Sequence, residues 1–208
     1  MAVAEANDPD TLHRHFVATA RGVSLPLCDA LAGLGPITLP RHDRRDFGAY
    51  IGRVIIGQQL SPAAASTIWG RIETRAADVG ETLPGFFRAE QAENIRACGV
   101  SRAKVNALLG IGGAAAAGEF DRRALRGLSE EERRRRLLAL PGVGPWTCDM
   151  ISLFYFGSPD IWPAGDLAVQ RTFRELIGRR SPDRAAARFS PHRSYLAVAM
   201  WKLVEGDA

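Results

Sequence analysis

Three stretches of the chain carry residue types whose spacing could do chemistry. In Leu140-Pro141-Gly142-Val143-Gly144-Pro145-Trp146-Thr147, two glycines lie one residue apart between prolines. Glycines so placed let backbone approach another group closely. The first N–H groups of a helix entered at Pro145 lack intrahelical partners, so a phosphate is a natural ligand there. A plain corner between two helices accounts for the same glycines through φ alone. The second stretch is Asp160-Ile161-Trp162-Pro163-Ala164-Gly165-Asp166-Leu167. It sets one carboxylate, Asp166, at the N-cap of a helix starting at Leu167, after a turn made by Pro163 and Gly165. A carboxylate held this way can stabilise a developing cation or take a proton from water, although capping alone also explains it. In the third, Ile56-Gly57-Gln58-Gln59-Leu60-Ser61, two amides follow a helix break and can bond the backbone at its end.

Other chemistry is poorly supplied. Cys28, Cys98 and Cys148 lie far apart, too few for a four-thiolate cluster and not arranged as a disulfide scaffold. His13 and His15 stand two apart, a spacing that does not share a helix face, and His42 and His192 add no ligand pattern. Zinc and an iron–sulfur cluster are therefore not expected. Basic residues exceed acidic ones by 27 − 23 = 4, and all but Lys104 and Lys202 are arginine. That excess permits an anionic partner without requiring one. The arginines at 122, 123, 126 and 133–136 are offset by Glu130, Glu131 and Glu132, so they fit a solvated helix face as well as a nucleic-acid contact. No apolar run reaches the ~20 residues of a membrane span, and Glu5, Asp8 and Asp10 stand where a signal peptide would be basic. Membrane, export and disulfide-rich classes are excluded.

The elements that must position these residues are helices. Phe47, Tyr50, Ile51, Val54 and Ile55 make one apolar stripe; Leu167, Phe173, Leu176 and Ile177 make a second; Tyr195, Val198, Ala199 and Trp201 to Leu203 make a third. Alternation of β-branched residues is absent, so the expected fold is all-α, with roughly ten short helices. Ser61-Pro62, Leu83-Pro84-Gly85, Gly112-Gly113 and Gly157 to Pro159 read as helix breaks. Residues 1–10 read as loose, with Asp10 or Thr11 capping a helix from about Leu12, and Gly35-Pro36 through Arg44 reads as a polar link. The alanines 114–117 read as a helix end packed closely on a neighbour. Before the double glycine, Ser129 and Glu132 form a capping box.

The octapeptide 140–147 and the residues after it resemble the helix–hairpin–helix DNA glycosylases, most closely the alkylbase branch, the 3-methyladenine DNA glycosylase II group. Four further blocks resemble that group in the same order: Asp29 to Pro36, Ile56 to Ser61, Asp160 to Leu167, and Pro191-His192-Arg193-Ser194-Tyr195 with Trp201. The resemblance spans about residues 25–204. It implies a single domain over 1–208 built as two helical lobes, about 1–44 with 156–208 and about 45–155, with the hairpin at 140–147. It also implies that the extra N-terminal domain of the best-known members is lacking here.

The resemblance further implies an enzyme that hydrolyses the N-glycosidic bond of alkylated purines such as 3-methyladenine and 7-methylguanine, in base excision repair. Its partner would be double-stranded DNA containing damaged bases, bound by a cytoplasmic, bacterial, nucleoid-associated monomer without an obligate protein partner or a membrane. Asp166 would be catalytic, since the leaving base develops oxocarbenium charge on the sugar. Gly165 stands where some relatives carry a second acid. Trp146 occupies the place of the Schiff-base lysine of the lyases, and an indole cannot form an imine, so the enzyme would be monofunctional. Trp146, Trp162, Tyr155 and Phe47 would supply the base pocket, where an aromatic face attracts a cationic purine. Gln58, Gln59 and Leu60 would supply the wedge that fills the gap left by a flipped nucleotide, with Gln59 at the matching position. Leu140, Gly142, Val143, Gly144 and Thr147 would hold a DNA phosphate. No cofactor would be required, though a sodium or potassium ion could sit on the backbone carbonyls of Leu140 and Val143.

Two alternatives remain at this stage. One is an enzyme of the same fold acting on a deaminated or oxidised purine, since pocket shape decides the lesion. The other is a catalytically silent DNA-binding protein, which could dispense with Asp166.

Overall fold

The computed structural model describes residues 8–40 and 46–206. Among them every regular element is helical, and the architecture is the multi-helical bundle expected from the apolar periodicity. Contacts divide the chain into two compact units, residues 1–41 with 152–208 and residues 42–151.

In the first unit, α1 (Pro9–Arg21) and α2 (Leu25–Leu34) pack with α11 (Leu167–Ile177), the short α12 (Pro182–Ala186) and α13 (Arg193–Gly206). Their shared core includes Phe16, Leu27, Leu31, Val169, Phe173, Phe189 and Leu196, and Phe16 and Phe189 meet with ring centroids 5.2 Å apart. Helix α1 starts earlier than expected, because Asp8 accepts from the Thr11 N–H at 2.9 Å and Pro9 opens the first turn. Of the segment read as loose, residues 1–7 lie outside the described residues, as do 41–45 of the polar link. The stripe of α11 is also revised. Leu167 is 86 % exposed, and the buried positions are Val169, Phe173 and Ile177. Leu167 is the first helical residue, where the chain has only just turned into the helix.

The second unit holds α3 (Phe47–Gly57), α4 (Pro62–Asp78), α5 (Leu83–Phe86), α6 (Ala92–Ala97), α7 (Arg102–Ala116), α8 (Arg122–Gly127), α9 (Glu130–Leu138) and α10 (Pro145–Ile151). Ile51, Ile55, Phe86, Phe87, Leu108 and Ile111 are among its fully buried side chains. Ser61-Pro62 and Leu83-Pro84 begin helices rather than merely ending them, with Ser61 and Thr82 as side-chain caps. Gly112-Gly113 is not a break. Helix α7 runs through both glycines, and a Cβ on Gly112 would lie 1.9 Å from the Phe87 carbonyl oxygen. The residue there serves close packing against backbone, which a local reading takes for a helix stop.

Candidate functional site

In the first unit, the chain reaches Asp166 through a tight turn. The Ala164 N–H donates to Trp162 O at 2.8 Å and the Asp166 N–H to Pro163 O at 2.9 Å. Asp166 then caps α11, its Oδ1 accepting from the Val169 N–H at 2.9 Å. The Trp201 indole N–H, brought in on α13, donates to the same oxygen at 3.3 Å. The residue is 8 % exposed. Two fixed donors on one carboxylate oxygen hold the group in a defined orientation.

The segment before this turn is clamped from the start of α13. Arg193 donates through Nε to Asp160 Oδ1 at 2.7 Å and through Nη2 to Oδ2 at 2.9 Å, a bidentate pair. The Arg193 N–H and the Ser190 hydroxyl also donate to this carboxylate. The Ser194 hydroxyl donates to Ser158 O at 2.6 Å and accepts from the Ile161 N–H at 2.9 Å. Burial pushes the Asp160 carboxyl up. The guanidinium, the amide and the hydroxyl outweigh that push and hold it below the usual carboxylate range.

Of the aromatic candidates in this unit, Trp162 is half-buried and sets its ring edge-on to Phe173 at 5.0 Å. Its Nε1 is buried without a hydrogen-bond partner, as is Gln170 Nε2 one helical turn beyond Asp166. Tyr155, 1 % exposed, is core packing.

In the second unit, the hairpin is built by close approach. Helix α9 starts with the expected box, Ser129 Oγ accepting from the Glu132 N–H and Glu132 Oε2 from the Ser129 N–H. It ends at Leu138, and α10 begins at Pro145. Gly142 has φ +77°, and a Cβ there would lie 2.6 Å from the Ala107 Cβ on α7. One turn along α7, Gly110 receives the Pro141 ring, whose Cγ would lie 2.6 Å from an added Cβ. Gly144 faces open space. Val143 is buried, Trp146 half-buried, and Leu140 O accepts from the Val143 N–H at 3.2 Å.

The glutamine pair divides. Gln58 turns onto the hairpin, its Nε2 donating to Gly142 O at 3.0 Å and to Thr147 Oγ1 at 2.9 Å. Gln58, expected among the wedge residues, here braces the hairpin. Gln59 sits at φ +58°, a conformation rare for a residue with a side chain, and is exposed, as is Leu60. Lys104 closes the end of α3, donating through Nζ to Ile56 O at 2.8 Å and to Gln58 O at 2.7 Å. Burial pushes its ammonium below the usual lysine range. Phe47 is core, edge-on to Phe120 at 5.3 Å. Among the basic residues near the hairpin, Arg133 is buried against Leu125 O and Glu130, and Arg134 pairs with Asp149.

Sequence reasoning missed Trp201 as a partner of Asp166, Gln170 as a neighbour on its helix, and Lys104. The Arg193 clamp was legible only as a recurring block. Among the described residues no group of three or more His, Cys, Asp or Glu side chains could hold a metal ion.

No family model matches the chain. The chain is 29 % identical over 175 residues to the alkylbase DNA glycosidase-like protein mag2 of Schizosaccharomyces pombe, covering 82 % of each. It is also 29 % identical over 175 residues to the probable bifunctional transcriptional activator/DNA repair enzyme AlkA of Mycobacterium tuberculosis, covering 77 % of this chain and 34 % of that protein. The DNA-3-methyladenine glycosidase structure from Bacillus halodurans superimposes with a TM-score of 0.75 at 25 % identity, over 94 % of this chain and 89 % of that one. The chain is related to the helix–hairpin–helix DNA glycosylases of the 3-methyladenine group. It spans about a third of the length of the mycobacterial relative it matches. Relative to that group, the hairpin at 140–147 and the Gln59 turn fall in the second unit, and the Asp166 turn with its clamp falls in the first.

Proposed function

We propose that the protein is a monofunctional DNA glycosylase that hydrolyses the N-glycosidic bond of alkylated purines in double-stranded DNA. The observation that carries this reading is the Asp166 carboxylate, buried and oriented by the Val169 N–H and the Trp201 indole N–H. When the bond from the sugar C1′ to the purine nitrogen breaks, its electron pair stays with the base and cancels the positive charge of the alkylated ring. The sugar becomes an oxocarbenium ion, which a fixed carboxylate stabilises. Water then adds to C1′, and its proton passes to the carboxylate or to solvent. The products are a free base and an abasic site.

The hairpin supplies binding. Its backbone N–H groups at the start of α10 suit a phosphate, and a contact of this kind positions DNA without reading its sequence. The open side of Gly144 supports such an approach. A sodium or potassium ion would use the carbonyls of Leu140 and Val143. The Leu140 oxygen has a second lone pair beyond its bond to the Val143 N–H, so the donor set fits. Gln59 and Leu60, on their strained and exposed turn, are the wedge residues under this reading. Trp162, with an unpartnered indole N–H, is the aromatic candidate on the same unit as Asp166.

Lys104 gives its ammonium to two carbonyls and Trp146 cannot form an imine, which supports water as the nucleophile. The test is release of labelled bases from methylated DNA beside duplexes carrying inosine and 8-oxoguanine, with borohydride trapping in parallel. Release from methylated DNA with intact abasic sites and no trapped adduct is expected. Release confined to inosine or 8-oxoguanine overturns the alkylated-purine substrate, and a trapped adduct overturns the monofunctional mechanism.

A further inference from the structure

Another concentration of basic side chains lies within the first unit. Arg180, Arg184 and Arg188 line a hollow of about 380 Å³ with Gly22, Val23 and Ser181. Two of the guanidinium groups are anchored on helix ends. Arg180 Nη1 donates to Ile177 O at 3.0 Å, the last residue of α11, and Arg188 Nη1 donates to Gly22 O at 2.6 Å, just past α1. A cation at a helix C-terminus is favoured by the helix dipole, so these bonds explain why both side chains hold their places. They occupy one N–H of the five that each guanidinium carries.

Among the described residues Arg184 makes no hydrogen bond or ion pair, and Ser181 makes no side-chain capping bond although it stands at the N-cap of α12. Among the described residues no carboxylate lies within ion-pair distance of any of the three arginines, and no acidic side chain lines the hollow. Some arginines elsewhere on the surface are paired, as Arg88 is with Glu81 and Arg171 with Glu175. Gly22 contributes space, since a Cβ at that position would lie 2.8 Å from Arg188 Nη2.

We propose that this hollow is an anion site for a phosphate group, carried either by a small molecule such as a free phosphate or by the backbone of DNA. Three guanidinium groups with unspent donors match the tetrahedral oxygens and multiple charge of a free phosphate better than they match the two oxygens of a carboxylate, and the successive singly charged phosphates of a DNA backbone can engage them in turn. The Ser181 hydroxyl adds a neutral donor. None of the residues lining it belongs to the Asp166 turn or to the hairpin.

The probe is inorganic pyrophosphate, titrated into the 208-residue chain by calorimetry and by the guanidinium N–H signals in NMR. Acetate and an undamaged duplex serve as competitors. Arg184→Glu should weaken pyrophosphate binding by at least ~10-fold, because a charge-assisted donor is replaced by a repelling carboxylate. Its melting temperature should be unchanged, since Arg184 holds nothing in the fold. Gly22→Ala keeps all three charges but displaces Arg188, and should weaken binding by less. Displacement of pyrophosphate by duplex assigns the site to backbone phosphate, and failure of duplex to displace it assigns the site to a small phosphate compound. Equal binding by wild type and Arg184→Glu, absence of wild-type binding at millimolar pyrophosphate, or equal competition by acetate overturns the proposal. Single-turnover base release at saturating DNA should be the same for Arg184→Glu and wild type. Failure of this site therefore leaves the glycosylase reading standing, and the reverse also holds.

Discussion

The turn that carries Asp166 and the hairpin that carries Gly142 are held by opposite means. The first is fixed by polar side chains reaching from another helix: Arg193 on Asp160, Ser194 on Ser158 and Ile161, and Trp201 on Asp166 itself. The second is fixed by missing side chains, with Gly110 against Pro141 and Gly142 against Ala107, and one amide brace from Gln58. Under the proposed function, the difference follows from what each would present. A carboxylate needs a defined direction, which hydrogen bonds give. A backbone that offers N–H groups to a phosphate must keep them unspent, and close packing locates it without using them.

The largest effect is expected from Asp166→Asn. The amide oxygen can still cap α11, at a cost of at most about 1 kcal/mol. The charge facing the oxocarbenium ion is lost, and such groups are worth ~3 kcal/mol, so single-turnover release of 3-methyladenine should fall by at least ~100-fold. A folded, DNA-binding variant within about threefold of wild type would remove Asp166 from the mechanism.

The next largest effect is expected in the hairpin, and on stability rather than chemistry. Gly142→Val forces a branched side chain into positive φ and against Ala107, costing on the order of 2–4 kcal/mol in a denaturant melt. Gly144→Leu places its Cβ in open space, so it should fold normally and weaken all duplexes alike, damaged or not. Selective loss for one lesion would contradict a phosphate contact.

Trp201→Phe is subtler. It keeps an aromatic ring in place but deletes the N–H donated to Asp166, so excision should drop by a few-fold, as about 1 kcal/mol predicts, with DNA affinity unchanged. Equal activity would reduce Trp201 to packing.

The smallest effect is one of pH. The Asp160 carboxyl is held below its ordinary value in the folded protein, so its contribution is complete above the unfolded carboxylate range and disappears as pH falls through the lower folded value. Asp160→Asn should therefore flatten the acid limb of the stability curve while leaving the shape of the curve near neutral pH unchanged. An acid limb as steep as wild type would place the acid sensitivity elsewhere.

The sequence by itself determined the helical class, the capping box at Ser129, the entry of α10 at Pro145 and the capping place of Asp166. Each depends on a few adjacent residues whose period or hydrogen-bonding offset is local. Glycines misled where their partner was distant: Gly112 looks like a stop until the Phe87 carbonyl is seen against it. The two adjacent glutamines were inseparable in the sequence, and only the hairpin's Gly142 oxygen and Thr147 hydroxyl drew Gln58 inward, leaving Gln59 outside. Trp201 and Asp166, 35 residues apart, become partners only when α13 packs on α11. Local patterns specify what a short segment does with its own backbone. Long-range packing decides which side chains meet, because it depends on where the rest of the chain places its donors and its volume.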